Sequence, residues 1–371
     1  MKKILLTSGG TGGHMFPILR LHEKLQSKKE NYEIKIITDE RVKKYINLDN
    51  IKIIKSDSPF RKKGIFHLLK SFFFILISTV YCLFFLVIFR PNIILGAGGY
   101  VSFPVLIASL ILRKKFILYE TNAVLGRVNK FFLPFCEKLF SGYQQIKFFP
   151  KKHNNKFLYA GQLIRSEFLN FSINCNVYKN QNFNKENNFL KILILGGSQG
   201  AKVFSKNFPI CFQTLIDKNI KLSIKQQVHN NQNFLMKKFN SFDKEKFNIE
   251  LFEFEKNIAK FIQEADIVIC RSGSSTLAEL AFLNKPFIAV PFPYSLDNHQ
   301  YFNAMYYFEK NCCWVLDEKS KDFNDDIVNI LEDIYISNNL LEIKSTNLLK
   351  LKKSKYTEDF VIKLFKHGTA D

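Results

Sequence analysis

Lys3-Ile-Leu-Leu-Thr-Ser-Gly-Gly-Thr-Gly12 lies without a gap over Lys191-Ile-Leu-Ile-Leu-Gly-Gly-Ser-Gln-Gly200. Each stretch begins as a short apolar run, the pattern of a strand buried on both faces, and ends in a glycine-rich turn before a helical pattern. The chain therefore starts twice. The repeat predicts an α/β protein of two Rossmann-like, doubly wound domains facing each other across a cleft.

Working outward, similar apolar runs recur between helical stretches. In the first half they are Lys3–Thr7, Ile34–Thr38, Ile51–Lys55, Asn92–Leu95, Phe116–Tyr119, Lys138–Ser141 and Phe157–Ala160. In the second they are Lys191–Leu195, Leu222–Gln226, Ile249–Phe252, Ile267–Cys270, Phe287–Val290 and Trp314–Leu316. Between Leu169 and Asn188 the composition turns to Asn, Lys and Gln, which reads as a linker. The expected domains are 1–165 and 166–347, with a Lys-rich helix over Leu348–Phe365 carrying the tail 348–371 back onto the first domain.

At 371 residues, with 47% hydrophobic and 23% charged residues, the chain is long enough for two ordinary cores. Its 7 cysteines follow neither a disulfide framework nor a zinc spacing, which points to a reducing compartment. The formal charge of +21 suits an anionic partner, but drift toward Lys, Asn, Ile and Phe produces the same excess. No nucleic-acid-reading signature accompanies it. Phe72–Phe89 holds eighteen uncharged residues between basic flanks at Arg61-Lys62-Lys63, Lys70 and Arg90. A membrane span there would put the first three strands and the rest of their sheet on opposite sides. A helix lying in the membrane interface is the favoured reading, with burial in the core beside it.

Four loops carry the chemistry. Ser8–His14 holds consecutive glycines at a helix start, where backbone N–H groups approach an anionic or polar ligand. Met15 stands where G-x-G-x-x-G needs its third glycine, and no acidic residue is evident at the close of the first βαβ unit, so a dinucleotide enzyme is disfavoured. Gly96–Ser102 and Gly196–Gly200 likewise end strands. The fourth loop reads Cys270-Arg-Ser-Gly-Ser-Ser-Thr-Leu-Ala-Glu279. Its hydroxyls and N–H groups suit a diphosphate with Arg271 as counter-charge, and Glu279 suits ribose hydroxyls. Turn chemistry explains any one of these loops; four at strand C-termini indicate a ligand edge.

Gly9-Gly-Thr-Gly-Gly-His14, Gly98-Gly-Tyr-Val-Ser102, Glu120-Thr-Asn122, Gly196-Gly-Ser-Gln-Gly200, Arg271-Ser-Gly273 and Asp297-Asn-His-Gln300 with Asn303 occur in one order. That order resembles the MurG family, GT-B-fold N-acetylglucosaminyltransferases of peptidoglycan synthesis, over essentially the whole chain. The resemblance implies a hexosyltransferase that moves N-acetylglucosamine, with inversion, from UDP-N-acetylglucosamine to undecaprenyl-diphosphate-linked N-acetylmuramoyl pentapeptide. It also implies work in cell-wall biogenesis, and so in cell shape and division, as a peripheral protein on the cytoplasmic face of a bacterial inner membrane. An anionic membrane surface is then a partner and nucleic acid is not. Residue by residue, Thr11, Gly12, Gly13, Asn122, Arg165 and Ser198 match donor-side positions. Ser274, Ser275, Thr276, Leu277, Ala278 and Glu279 match the diphosphate and ribose segment, and Gln300 the sugar-hydroxyl position. Tyr100 and Asn129 match the acceptor side.

An inverting transfer needs a base near the acceptor hydroxyl. His14 suits it, with Glu120 as rival, and a capping bond is the plainer role for such a His. No D-x-D segment occurs, so no metal or other cofactor is expected. The family's Gly-Asn-Pro-Val-Arg reads Gly161-Gln-Leu-Ile-Arg165 here, and its Glu-Gln-Asn reads Glu120-Thr-Asn122. The alternatives are another GT-B transferase with a diglyceride acceptor, a UDP-sugar epimerase, and, on Phe72–Phe89 alone, a membrane binding protein.

Overall fold

The computed structural model describes the chain except residues 10–11, 28–31, 42–50, 56–64, 173–188, 198–201, 230–231, 338, 353–357 and 369–371. It divides into two compact units, Met1–Arg165 with Lys355–Asp371, and Ser166–Ser354. 

The first unit runs β1 (Lys2–Thr7), α1 (Gly12–Gln26), β2 (Tyr32–Thr38), β3 (Ile51–Ile53), α2 (Ile65–Phe89), β4 (Ile93–Gly96), α3 (Ser102–Ile111), β5 (Ile117–Glu120), α4 (Arg127–Phe132), β6 (Leu139–Ser141) and β7 (Phe157–Tyr159). Its strands form one parallel sheet in the order β3-β2-β1-β4-β5-β6-β7. Because β1 and β4 are buried on both faces, their apolar residues alternate between two cores. Ile4 and Leu6 join the side lined by α1, while Leu5 and Ile94 join the side lined by α2 and α3.

The second unit runs α5 (Ser166–Ser172), β8 (Leu190–Leu195), α6 (Lys202–Asp217), β9 (Leu222–Gln227), α7 (Gln232–Phe239), β10 (Phe247–Phe252), α8 (Ile258–Glu264), β11 (Ile267–Cys270), α9 (Ser274–Phe282), β12 (Phe287–Ala289), α10 (His299–Phe308), β13 (Cys313–Val315), α11 (Phe323–Ile336) and α12 (Asn339–Lys352). Its parallel sheet is ordered β10-β9-β8-β11-β12-β13. Last comes α13 (Glu358–Gly368), which packs in the first unit: Phe360 meets Tyr119 and Phe140 edge-on at 5.0 and 5.3 Å.

Two expectations change here. The helix read over Leu348–Phe365 is two helices, and Leu348 is buried in α12, within the second unit. The linker reading also fails at its start, since Leu169–Ser172 completes α5; most of the remainder lies outside the described residues.

The α2 helix is apolar on its outward face as well as its inward one. Its inward face buries Ser71, Ser78, Thr79 and Cys82 with Leu86 and Phe89. Ser78 satisfies its hydroxyl on the Lys55 carbonyl at 2.6 Å and Thr79 on the Ile75 carbonyl at 2.7 Å. The outward face carries Phe72, Phe73, Leu76, Ile77, Val80, Phe84, Val87 and Ile88, all exposed. Only 28% of Leu68–Phe89 is buried, so core burial does not account for this segment, which is long and apolar enough to cross a membrane.

Candidate active site

In a doubly wound sheet, ligands bind at the carboxyl ends of strands where the winding reverses direction. The reversal falls between β1 and β4 in the first unit and between β8 and β11 in the second. All four glycine loops lie at those two points.

In the first unit the two loops touch through their backbones. Gly98 and Gly99 both have φ of +78°, and a Cβ on Gly99 would lie 2.9 Å from the Gly9 carbonyl oxygen. Ser102 fixes the second loop, donating its hydroxyl to Gly98 at 2.8 Å and Thr7 at 3.2 Å. Ser8 closes the first by donating to the His14 carbonyl at 3.0 Å. Thr11 lies outside the described residues, while Gly12, Gly13 and His14 open α1.

The half-buried His14 side chain faces Gly98, where a Cβ would stand 3.7 Å from its Cε1. Its Nδ1 lies 3.5 Å from the Thr121 hydroxyl. Loss of water around the imidazole holds its pKa below 6.5; a bond to the Ala97 carbonyl opposes this and the Arg41 charge adds to it. The ring is therefore neutral at pH 7, the state a proton acceptor needs.

Glu120, at the end of β5, is buried and accepts four hydrogen bonds. Asn122 gives its backbone N–H at 3.0 Å and its amide at 3.1 Å to Oε1. Gly126 N–H at 2.9 Å and the Asn129 amide at 2.8 Å reach Oε2. Burial nonetheless raises its pKa. Encircled in this way, the carboxylate orders the loop bearing Thr121, Asn122 and Asn129 rather than offering a lone pair to a substrate. Asn129 is itself buried beside Gly98, its Oδ1 without a hydrogen-bond partner among the described residues. Tyr100 packs at the margin of the α2–α3 core.

Gln162, where the family has Asn, donates to the Thr121 carbonyl at 3.0 Å. Arg165 rests over the Phe16 ring at 5.1 Å.

Sequence reasoning missed Asp39. It closes the first βαβ unit after β2, where a dinucleotide enzyme keeps its ribose-binding acid, so the expectation that no such acid stands there is corrected. Its carboxylate is taken, however: Arg41 grips it with Nη2 at 2.6 Å and Nε at 3.1 Å, and adds its backbone N–H at 2.9 Å. The missed signal was an acid and an arginine two residues apart directly after a strand.

In the second unit Gly197 has φ of +76° and, among the described residues, nothing within 4 Å of a built Cβ. Ser198 lies outside the described residues. The α9 helix starts at Ser274 with Gly273 extended before it, presenting its first-turn N–H groups and the partly buried Ser275 and Thr276. Leu277 and Ala278 turn their side chains into the core, leaving only main chain for a ligand, and Glu279 is buried one turn on. Arg271 has other partners than a diphosphate: an ion pair with Glu318 at 2.6 Å and the carbonyls of Val290 and Pro291. Gln300, in the first turn of α10, accepts the Phe292 N–H at 2.9 Å. Asn303 ties that helix to the Ser272 carbonyl at 3.2 Å.

Comparison with known proteins agrees along the chain. The glycosyltransferase family 28 N-terminal domain matches residues 4–141 and the family 28 C-terminal domain matches residues 191–359. A Rickettsia felis protein named UDP-N-acetylglucosamine--N-acetylmuramyl-(pentapeptide) pyrophosphoryl-undecaprenol N-acetylglucosamine transferase is 36% identical, across 95% of this chain and 96% of its own length. The crystal structure of MurG from Acinetobacter baumannii superposes with a TM-score of 0.75 at 21% identity, covering 99% of each chain. A UDP-GlcNAc 2-epimerase from Neisseria meningitidis shares the fold at a TM-score of 0.64, 13% identity and coverage of 98% and 100%. The chain is a GT-B-fold α/β protein and belongs to glycosyltransferase family 28, among the MurG N-acetylglucosaminyltransferases.

Proposed function

We propose that this chain transfers N-acetylglucosamine from UDP-N-acetylglucosamine to undecaprenyl-diphosphate-linked N-acetylmuramoyl pentapeptide. The observation that carries the reading is the 36% identity, over 95% of the chain, to a relative named for that transfer. The epimerase reading rests on a likeness at 13% identity, which speaks for the fold alone.

The roles follow from the two ligand edges. The acceptor hydroxyl attacks the anomeric carbon of the donor sugar, His14 takes the hydroxyl proton, and the bond from that carbon to the diphosphate oxygen breaks as UDP leaves. A neutral imidazole beside two glycine loops supports His14 in that role. Glu120 then acts as a positioning residue, holding Thr121, Asn122 and Asn129 around the acceptor. The start of α9 with Ser274, Ser275 and Thr276 suits the charge that gathers on the departing diphosphate, because unpaired helix N–H groups stabilise an anion. Glu279 suits the ribose and Gln300 the sugar hydroxyls. Arg165 and Tyr100 complete the donor and acceptor sides.

The polarity of α2 supports a membrane-surface reading. In water a helix keeps its apolar residues inward, whereas this one buries Ser71, Ser78, Thr79 and Cys82 beside Leu86 and Phe89 and leaves a second row of Phe, Ile, Leu and Val outward. A bilayer interface satisfies that face, and its lysine and arginine flanks suit anionic headgroups. The assigning experiment incubates purified protein with UDP-N-acetylglucosamine and the lipid-linked muramoyl acceptor, and measures released UDP and disaccharide lipid.

A further inference from the structure

The second unit contains a buried charge pair that its ligand edge leaves unexplained. Arg271 and Glu318 meet at 2.6 Å with side chains only 11% and 13% exposed. Such a pair contributes little net stability unless its geometry is rigid, because removing two charges from water offsets most of their attraction. Here the guanidinium end is held in place, while Glu318 Oε2 meets it as a close ion pair without hydrogen-bond alignment. The guanidinium gives Nη1 to the Val290 carbonyl at 3.2 Å and the Pro291 carbonyl at 3.4 Å. Its faces are covered by Phe204 at 5.2 Å and Phe292 at 5.5 Å. One side chain thus ties together the ends of β11 and β12, the start of α6 and, through Glu318, the turn after β13.

This knot ends on a site residue. Phe292, stacked on Arg271, donates its backbone N–H to Gln300 Oε1 at 2.9 Å, which fixes the rotation of the Gln300 amide and turns its NH2 group away from Phe292. The turn that carries Glu318 grips the same loop once more, with Lys319 Nζ 4.4 Å from the Tyr294 ring centroid and Tyr294 edge-on to Phe292 at 5.6 Å.

We propose that Glu318 and Arg271 form a positioning pair that, through Phe292, aims the Gln300 amide at the donor sugar, so that the pair serves sugar selectivity and not diphosphate binding. The proposal rests on the donor-sugar role given to Gln300 above. Residues that aim a hydrogen-bonding group at a hydroxyl affect discrimination between sugars differing at that hydroxyl. They leave the part of the ligand lacking the sugar unaffected.

The test measures binding of UDP and of UDP-N-acetylglucosamine, and the preference over UDP-N-acetylgalactosamine, in four variants: Glu318→Gln, Gln300→Ala, their combination, and Arg271→Met with Glu318→Met. The last keeps volume while removing both buried charges, so it guards against an unfolded single variant. The pair predicts UDP affinity within about twofold of the unaltered chain, UDP-N-acetylglucosamine affinity lowered about tenfold, and a reduced preference over the galacto epimer. Adding Gln300→Ala to Glu318→Gln should lower affinity little further, since coupled residues are not additive. Amide exchange should quicken at Phe292 while the core strands keep their protection.

Equal losses for UDP and the UDP-sugar, or fully multiplying losses in the combination, would overturn the positioning pair. If Gln300→Ala is harmless, the donor-sugar role of Gln300 falls and takes the proposal with it. If Gln300→Ala weakens the UDP-sugar and both Glu318 variants do not, only the pair falls.

Discussion

Asn129 donates its side-chain amide to Glu120 Oε2 at 2.8 Å, and this bond is one of four that close around a buried carboxylate. The geometry makes Glu120 an organiser of its loop. Replacing it with Gln puts an NH2 group against N–H donors, so Glu120→Gln should be nearly as damaging as Glu120→Ala. Each removes charge-assisted bonds of about 1.5–3 kcal/mol apiece. Steady-state kinetics should show a fall in kcat/KM of ten- to a thousandfold with the acidic limb of the pH profile intact. Loss of that limb would make Glu120 the base.

His14 should supply that limb. Its pKa lies below 6.5, so the neutral form is present at pH 7 and activity falls as pH drops through the lowered value. His14→Ala should lower kcat by about 10²–10⁴-fold and flatten the profile. Near-normal turnover of His14→Ala at all pH values would remove it as base.

Two glycines of positive φ, one in each unit, should respond differently to the same substitution. Gly99→Ala meets the Gly9 carbonyl oxygen at 2.9 Å, whereas no described residue lies within 4 Å of a Cβ on Gly197; both carry positive φ. The left-handed backbone alone costs about 1–2 kcal/mol. Thermal melts should show Gly197→Ala near that figure and Gly99→Ala well beyond it.

That contrast marks what the sequence made legible. The thirteen strands among the described residues were read within a residue or two, because most are parallel strands buried on both faces that leave an apolar run. The largest differences are two residues: β2 and β10 start earlier than read, at Tyr32 and Phe247, and β3 stops at Ile53. His14 and Glu120 stood out because their loops break the apolar pattern. Asp39 did not, since an acid after a strand looks like any turn residue until its arginine folds back on it. Glu318 was invisible for the same reason: the 47 residues from Arg271 to Glu318 (318 − 271) span two strand crossings. The alternation of small polar and large apolar residues along α2 was equally hidden, because the whole segment is uncharged and only helix packing shows which face is inward.

The two faces of α2 give a membrane prediction. Phe84→Glu and Ile88→Glu sit on the exposed face and should leave the melting temperature within a few degrees while reducing co-sedimentation with anionic vesicles severalfold. Cys82→Glu, on the buried face, should instead destabilise the fold. Unchanged sedimentation of the first two variants would remove the α2 face as the membrane contact.

Stability should also depend on pH through His22, which is buried in α1 with its Nε2 unpartnered among the described residues. Burial lowers its pKa from 6.5, so the unfolded chain binds its proton more readily than the folded one. Its contribution is present above pH 6.5 and is lost as pH falls from there through the lowered value. Denaturant midpoints of the unaltered chain should fall across that window, and those of His22→Gln should fall less.

The most direct test of the account is a product assay with purified protein, UDP-N-acetylglucosamine and undecaprenyl-diphosphate-linked N-acetylmuramoyl pentapeptide. UDP and the β-linked disaccharide lipid should form in equal amounts, and His14→Ala should lose both. Release of UDP without disaccharide, or no product with an acceptor that a known transferase consumes, would contradict it.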